Sequence, residues 1–145
     1  IIFVDFDQIM NESNIGKSIN KEINDFNNKK NEELKIQKSS LKKEEETLIN
    51  QKNIINSDEF DKRYTELKKK INEYNIKNKE ISESQKRNLI KQKKKLIKLL
   101  QPILADYMKQ NDIKYIMNKK DILIGREDLN KTLEIIDIVN KKIKK

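Results

Sequence analysis

Apolar residues return along most of this chain at mixed steps of three and four, and that rhythm breaks only near the two ends. Ile15, Ile19, Ile23, Phe26, Leu34, Leu41, Leu48 and Ile55 share one seam, which predicts a helix over about 15–55. Lys30, Gln37, Glu45 and Lys52 occupy seam positions where a stable coiled coil wants apolar side chains. The steps lie nearer an eleven-residue repeat than a strict heptad, so a nearly straight or slightly right-handed pair is expected. A second helix is predicted from Ser57 to about Gln110, first on Phe60, Tyr64, Leu67, Ile71, Tyr74 and Ile81, then looser at Asn78, Gln85 and Gln92. From Leu89 apolar density rises through Leu96, Ile97, Leu99, Leu100, Ile103, Leu104, Tyr107 and Met108, so the root of this helix belongs to a core that its outer part lacks. Pro102 removes one helical hydrogen bond and is expected to bend or interrupt the helix there.

Between the helices lies Asn56-Ser57-Asp58-Glu59, with Ser57 as the expected N-cap and acids where the helix dipole favours them. So short a link demands an antiparallel αα-hairpin. The ends read differently. A strand is predicted over 1–7, with Ile2, Val4 and Phe6 on one face, followed by a polar connection at 7–14. Asn111 is expected to end the long helix in a left-handed conformation. Strands at 113–118 and 121–125 then read as a β-hairpin, 125–130 as a loop, and 133–144 as a helix carrying Leu133, Ile135, Ile136, Val139 and Ile143. The fold class is therefore α+β, predominantly α: a long antiparallel helical hairpin (21–98, tip near 54–60) on a small three-stranded β body with a C-terminal helix (1–20 and 99–145). Neither part looks able to bury enough surface alone, which points to self-association through the β end. Ile2, Val4, Phe6, Tyr115, Met117, Ile122 and Ile124 are the residues expected to carry it, and Val4→Asp is expected to break it.

Composition narrows the function. With 39% of residues charged and 34% hydrophobic, disorder is one reading, but the helical period favours extended helices. The chain has no histidine and no cysteine, which removes triads, thiol catalysis and the usual zinc sites. Gly16 and Gly125 alone cannot build a phosphate-binding loop. Glu44-Glu45-Glu46 reads as a solvated helix face. No enzyme, cofactor or metal is expected. Apolar runs fall short of a membrane span. The chain opens inside a strand-like run without Met, as a mature or trimmed product would, with any signal peptide already removed.

The net charge of +9 fits an anionic partner. Arg87, Lys91, Lys94 and Lys98 follow steps of four, three and four, forming one basic stripe that Lys86, Lys93 and Lys95 widen. Such a stripe is either a solvated face or a dock for lipid headgroups, phosphate or acidic segments. Only Arg63, Arg87 and Arg126 are arginines, and the aromatics fall on the seam, so no specific nucleic-acid site is indicated. At the tip, Ile54, Ile55 and Phe60 either pack locally or touch a non-native client.

The whole chain resembles the Skp/OmpH family of periplasmic chaperones. Ile1 to Ser13 looks like the family's opening strand, and Ser13-Asn14-Ile15-Gly16-Lys17 like its small-residue start to the first long helix. Leu100-Gln101-Pro102-Ile103-Leu104 resembles the stretch where the returning helix rejoins the body, 112–125 the closing hairpin, and Leu133-Glu134-Ile135 with Val139 the last helix. Asp112 stands where a glycine is common, and Ile136 where a threonine often opens the last helix. The resemblance implies a jellyfish-like homotrimer that holds unfolded outer-membrane proteins between helical tentacles in the periplasm without ATP, with a basic patch for lipopolysaccharide in some members. Prefoldin-like chaperones place their β-hairpins between the long helices, whereas here the strands flank them. The rival from another class is a coiled-coil adaptor that binds a protein partner or nucleic acid through a basic helical face.

Overall fold

The computed structural model describes residues 1–144. In chain order they form β1 (Ile2–Val4), α1 (Phe6–Glu12), α2 (Asn14–Gln51), α3 (Ser57–Gln110), β2 (Ile116–Asn118), two 3-10 turns (Lys119–Asp121 and Glu127–Leu129) and α4 (Thr132–Lys142). The chain divides into two compact units, one made of residues 1–24 with 88–145 and the other of 25–87. Both long helices take part in both units.

The first unit holds the main core. Ile2 and Val4 of β1, Ile9 and Met10 of α1, and Ile15, Ile19 and Ile23 of α2 pack with Leu96, Leu100, Ile103 and Tyr107 of α3 and with Ile135, Ile136 and Val139 of α4. These are the apolar positions of the predicted helix root, now seen as the wall against which β1 and α4 close. α3 runs through Pro102 without a break, so of the expected bend or interruption the interruption does not occur. Buried Leu100 and Ile103 on either side hold the helix in place despite the missing N–H.

The expected polar connection at 7–14 is instead largely helix α1. Asp5 caps it, its Oδ1 accepting from the Gln8 N–H at 3.0 Å, and Asp7 adds charge to the first turn. Ser13 then caps α2: its fully buried Oγ accepts from the Gly16 N–H at 3.0 Å.

The three-stranded body is also corrected. β1 and β2 form a two-stranded parallel sheet with Ile2 opposite Ile116, Phe3 opposite Met117 and Val4 opposite Asn118. The predicted β-hairpin does not form, because residues 119–121 coil into a 3-10 turn and 122–124 pair with no strand. The other side of β1 meets Asn130 in a single parallel bridge, and the Lys131 N–H donates to the Phe3 carbonyl at 3.0 Å. Thr132, buried, ties the β1 exit to the start of α4: its Oγ1 accepts from the Asp5 N–H at 2.8 Å and donates to Asn130 Oδ1 at 2.6 Å. α4 accordingly begins at Thr132 and ends at Lys142, earlier at both ends than 133–144.

The residue that takes left-handed backbone is Asp112 (φ 48°), not Asn111. The Ile113 N–H reaches back to the Met108 carbonyl at 2.9 Å, closing α3 in a Schellman turn whose left-handed position favours glycine.

Tyr107 gives the first unit an alkaline limit. Burial, helped by a hydrogen bond to Glu134 and its negative charge, pushes the phenol up to about 12 from 10.0. The fold thus favours the neutral phenol. Its stabilisation is intact below pH 10 and is lost as pH rises through about 12, a swing on the order of 2 kcal/mol. Urea unfolding across that window is expected to show Tyr107→Phe losing less stability than the parent. Equal losses in both proteins would remove Tyr107 from the account.

In the second unit α2 and α3 are joined by a thin seam. Leu48, Leu67 and Ile81 are buried, while Phe26, Leu34, Leu41, Ile71 and Tyr74 are only half-buried and Tyr64, expected on the seam, is exposed. Lys70 Nζ meets Glu44 Oε1 at 2.6 Å across the pair, and Gln85 Nε2 donates to Asn31 Oδ1 at 2.9 Å. The buried Asn27 Oδ1 and Gln37 Oε1 have no hydrogen-bond partner in the chain. Each such group costs stability, so the seam holds the helices together weakly.

At the far end α2 stops at Gln51, earlier than Ile55, and the Ile54 and Ile55 N–H groups both point back to the Gln51 carbonyl. Asn56, one residue before the expected Ser57, caps α3, its Oδ1 accepting from the Glu59 N–H at 2.8 Å.

Candidate functional site

The described residues offer no group of acidic side chains able to hold a metal, and no helix is long and apolar enough to cross a membrane. What the structure does present is exposed apolar and basic surface.

In the hairpin unit, the three tip residues separate. Ile54 is 80% exposed, Ile55 is half-buried under the turn, and half-buried Phe60 stacks on Tyr64 with ring centroids 6.3 Å apart. Only Ile54 is free to touch another molecule with most of its side chain. Beyond the tip, Ile36, Ile49, Tyr64 and Ile76 are also exposed. Sequence reasoning passed over Ile36, Ile49 and Ile76. Their signal was available, since each is an aliphatic residue off the seam of an otherwise charged helix. Arg63 bridges Glu59 and Gln51, and Lys70 is held by Glu44, so part of the positive charge here is already engaged. The hairpin surface is thus a set of isolated apolar side chains separated by charges and amides. Such a surface suits many weak, unspecific contacts better than one tight pocket.

The basic stripe falls in both units. Arg87, at the end of the hairpin unit, is exposed. Lys91, Lys94 and Lys98, in the other unit, are exposed as well, and none of the four forms a salt bridge among the described residues. Lys95 differs: its ammonium lies 3.4 Å from Glu22.

The seven residues expected to carry self-association do not share one surface. Ile2 and Val4 face the protomer's own core and are about as buried as its helix residues. Phe6 packs against that core from its edge. Gly125, itself exposed, lies against Phe3: a Cβ there would sit 3.0 Å from the Phe3 ring and 3.4 Å from half-buried Ile122. Tyr115, Met117 and Ile124 are exposed, and so is Leu123, which sequence reasoning passed over. An apolar groove of about 350 Å³ opens beside β2, between Val4, Phe6 and Ile116 and the α3 residues Ile97, Leu100 and Leu104.

Comparison with known proteins agrees with the architecture. A sequence-family model described as outer membrane protein (OmpH-like) matches residues 1–139. Among solved structures, a chain of Caulobacter crescentus described as an OmpH-like outer membrane chaperone superposes with a TM-score of 0.77. It is 15% identical, and the match covers 98% of this chain and 84% of that one. At that identity the likeness speaks for the fold. No curated protein matches the sequence.

Proposed function

The chain belongs to the OmpH-like family, and from that premise we propose that it is an ATP-independent holdase that keeps unfolded outer-membrane proteins from aggregating in the periplasm. Family membership supports a chaperone role; the hairpin surface supports the manner of it. The observation that carries the reading is the thin seam of residues 25–87, with unpartnered buried amides inside and lone aliphatic side chains outside. A pair of helices built this way yields easily and offers contacts spread over its length. The working unit is a homotrimer joined through the β-containing unit, with clients held between the hairpins. The positive charge draws acidic segments at long range, while the apolar contacts hold them loosely. Lys91, Lys94 and Lys98 add a surface for anionic headgroups such as those of lipopolysaccharide.

No ATP site is required for this work. Release follows from the client's own folding in its membrane, since a loosely held chain leaves whenever a more stable state is open to it.

The absence of tryptophan makes the test clean, because emission then belongs to the client alone. A urea-unfolded, tryptophan-containing outer-membrane β-barrel diluted into the chaperone is expected to stay in a soluble complex with the emission of an unfolded chain, with or without nucleotide. Absence of any complex, or a requirement for nucleotide, would contradict the proposal.

A further inference from the structure

One side of the hairpin unit carries a slot of about 270 Å³ between α2 and α3. Its floor is Leu48 and Leu67, the buried seam residues nearest the tip. A bond from α3 to α2 bounds it at each end: Arg63 Nη1 donates to Gln51 Oε1 at 2.7 Å, and Lys70 Nζ to Glu44 Oε1 at 2.6 Å. Those two bonds stand two turns of helix apart, about 10 Å. Thr47 and exposed Glu66 form the side walls.

The open groups of the slot are all acceptors. Arg63 and Lys70 already hold partners, Arg63 a second one in Glu59 at 3.0 Å. Thr47 donates its hydroxyl proton to the Lys43 carbonyl at 2.9 Å, so its oxygen remains only to accept. The Glu66 carboxylate has no salt bridge among the described residues, since its cationic neighbours on α3 are engaged with Glu59 and Glu44. An occupant must therefore join an apolar stem to a charged donor, and a lysine side chain does so: its methylenes suit the leucines, and its ammonium can donate to both walls. The surroundings favour the same occupant. Residues 44–66 hold seven acidic and three basic side chains, in a chain whose net charge is +9. The end of the hairpin thus draws basic segments, where the rest of the surface draws acidic ones. The geometry points to this slot as the place where each hairpin holds a lysine side chain of its client. This rests on the holdase reading above and adds which client residues are gripped near the tip.

The chain has no tryptophan, so the emission anisotropy of a short unstructured peptide with one tryptophan reads binding without background. Three versions of that peptide differ at a single position, which holds lysine, norleucine or glutamate. The lysine version is expected to bind the parent about fivefold more tightly than the norleucine version, the upper end of what an exposed ion pair gives. The glutamate version is expected to bind more weakly still. Glu66→Lys is expected to reverse the order of the lysine and glutamate versions, with unchanged helical circular dichroism. Glu45→Lys makes the same change of net charge outside the slot and is expected to keep the parent's order. Equal binding of the lysine and norleucine versions by the parent, or a reversal produced equally by Glu45→Lys, would overturn the inference. Protection of a client by the parent is measured separately. A parent that keeps its client soluble without preferring lysine loses the slot and keeps the holdase reading, and a lysine preference without protection does the reverse.

Discussion

Replacing Gly16 by alanine is expected to destabilise the protein by about 3 kcal/mol or more, although the same change in an exposed helix would stabilise it by about 1 kcal/mol. The reversal comes from the joint between α1 and α2. A Cβ at Gly16 would lie 2.2 Å from the Met10 carbonyl oxygen and 2.7 Å from that of Ile9. Both are backbone atoms and cannot swing aside as a flexible side chain would. The Met10 carbonyl also accepts from Asn20 Nδ2 at 3.1 Å, and Ser13 Oγ is held by the Gly16 N–H, so moving α1 away breaks two further bonds. Urea denaturation of Gly16→Ala beside an exposed control, Lys17→Ala, reads the effect. A variant as stable as the control would mean that the two helices do not meet as closely as described.

Val4→Asp is expected to cost about 4 kcal/mol, enough to unfold the first unit at room temperature or close to it. Val4 is 6% exposed and sits in the cluster that joins β1 to α1, α3 and α4. A carboxylate buried there must either stay charged out of solvent or take up a proton. Acidic solution should therefore restore part of the loss. From the sequence this variant looked like a probe of subunit association, but burial of Val4 inside its own protomer makes it a probe of the fold first. Leu123→Asp, on a side chain almost wholly in solvent, should leave the melting curve of the protomer unchanged. If Val4→Asp melts with the parent, β1 is not part of the core.

These two variants also mark what the sequence could and could not disclose. The long seams were legible because periodicity is local: Ile15, Ile19 and Ile23 lie on one helix face whatever else the chain does. The dense stretch from Leu96 to Tyr107 was legible for the same reason. The β region was not. Ile113 to Ile124 carries β-prone runs around Asn118-Lys119-Lys120-Asp121 that resemble an antiparallel hairpin, yet the pairing that forms is parallel and with β1, more than a hundred residues away. No local pattern encodes that partner. α1 was hidden for another reason. With Ile9 and Met10 as its buried residues, it has too few apolar positions to show a period, and its signal was the Asp5 cap, visible only once the helix is known. Of the candidate surfaces, Ile54 was legible as an apolar residue in a turn, and the basic stripe as a spacing. Leu123 was not, because an apolar residue in a predicted strand reads as buried until the strand proves unpaired.

The weak hairpin seam ties these details to function. Lys30 and Gln37 lie where a rigid coiled coil would place leucine or isoleucine, and the buried oxygens of Asn27 and Gln37 find no donor in the chain. The main apolar core lies in the unit that contains the sheet, and the hairpin is held by a thinner seam. That division suits the proposed holding of clients that share no fold.

The central claim is that this chain holds unfolded outer-membrane proteins without nucleotide. Light scattering tests it most directly, with a urea-unfolded outer-membrane β-barrel diluted into buffer lacking ATP and three chains of this protein supplied per client chain. The account predicts that scattering stays near that of buffer and that the client folds when detergent or lipid is then added. Scattering that rises as fast as with an inert helical protein of the same charge would contradict it.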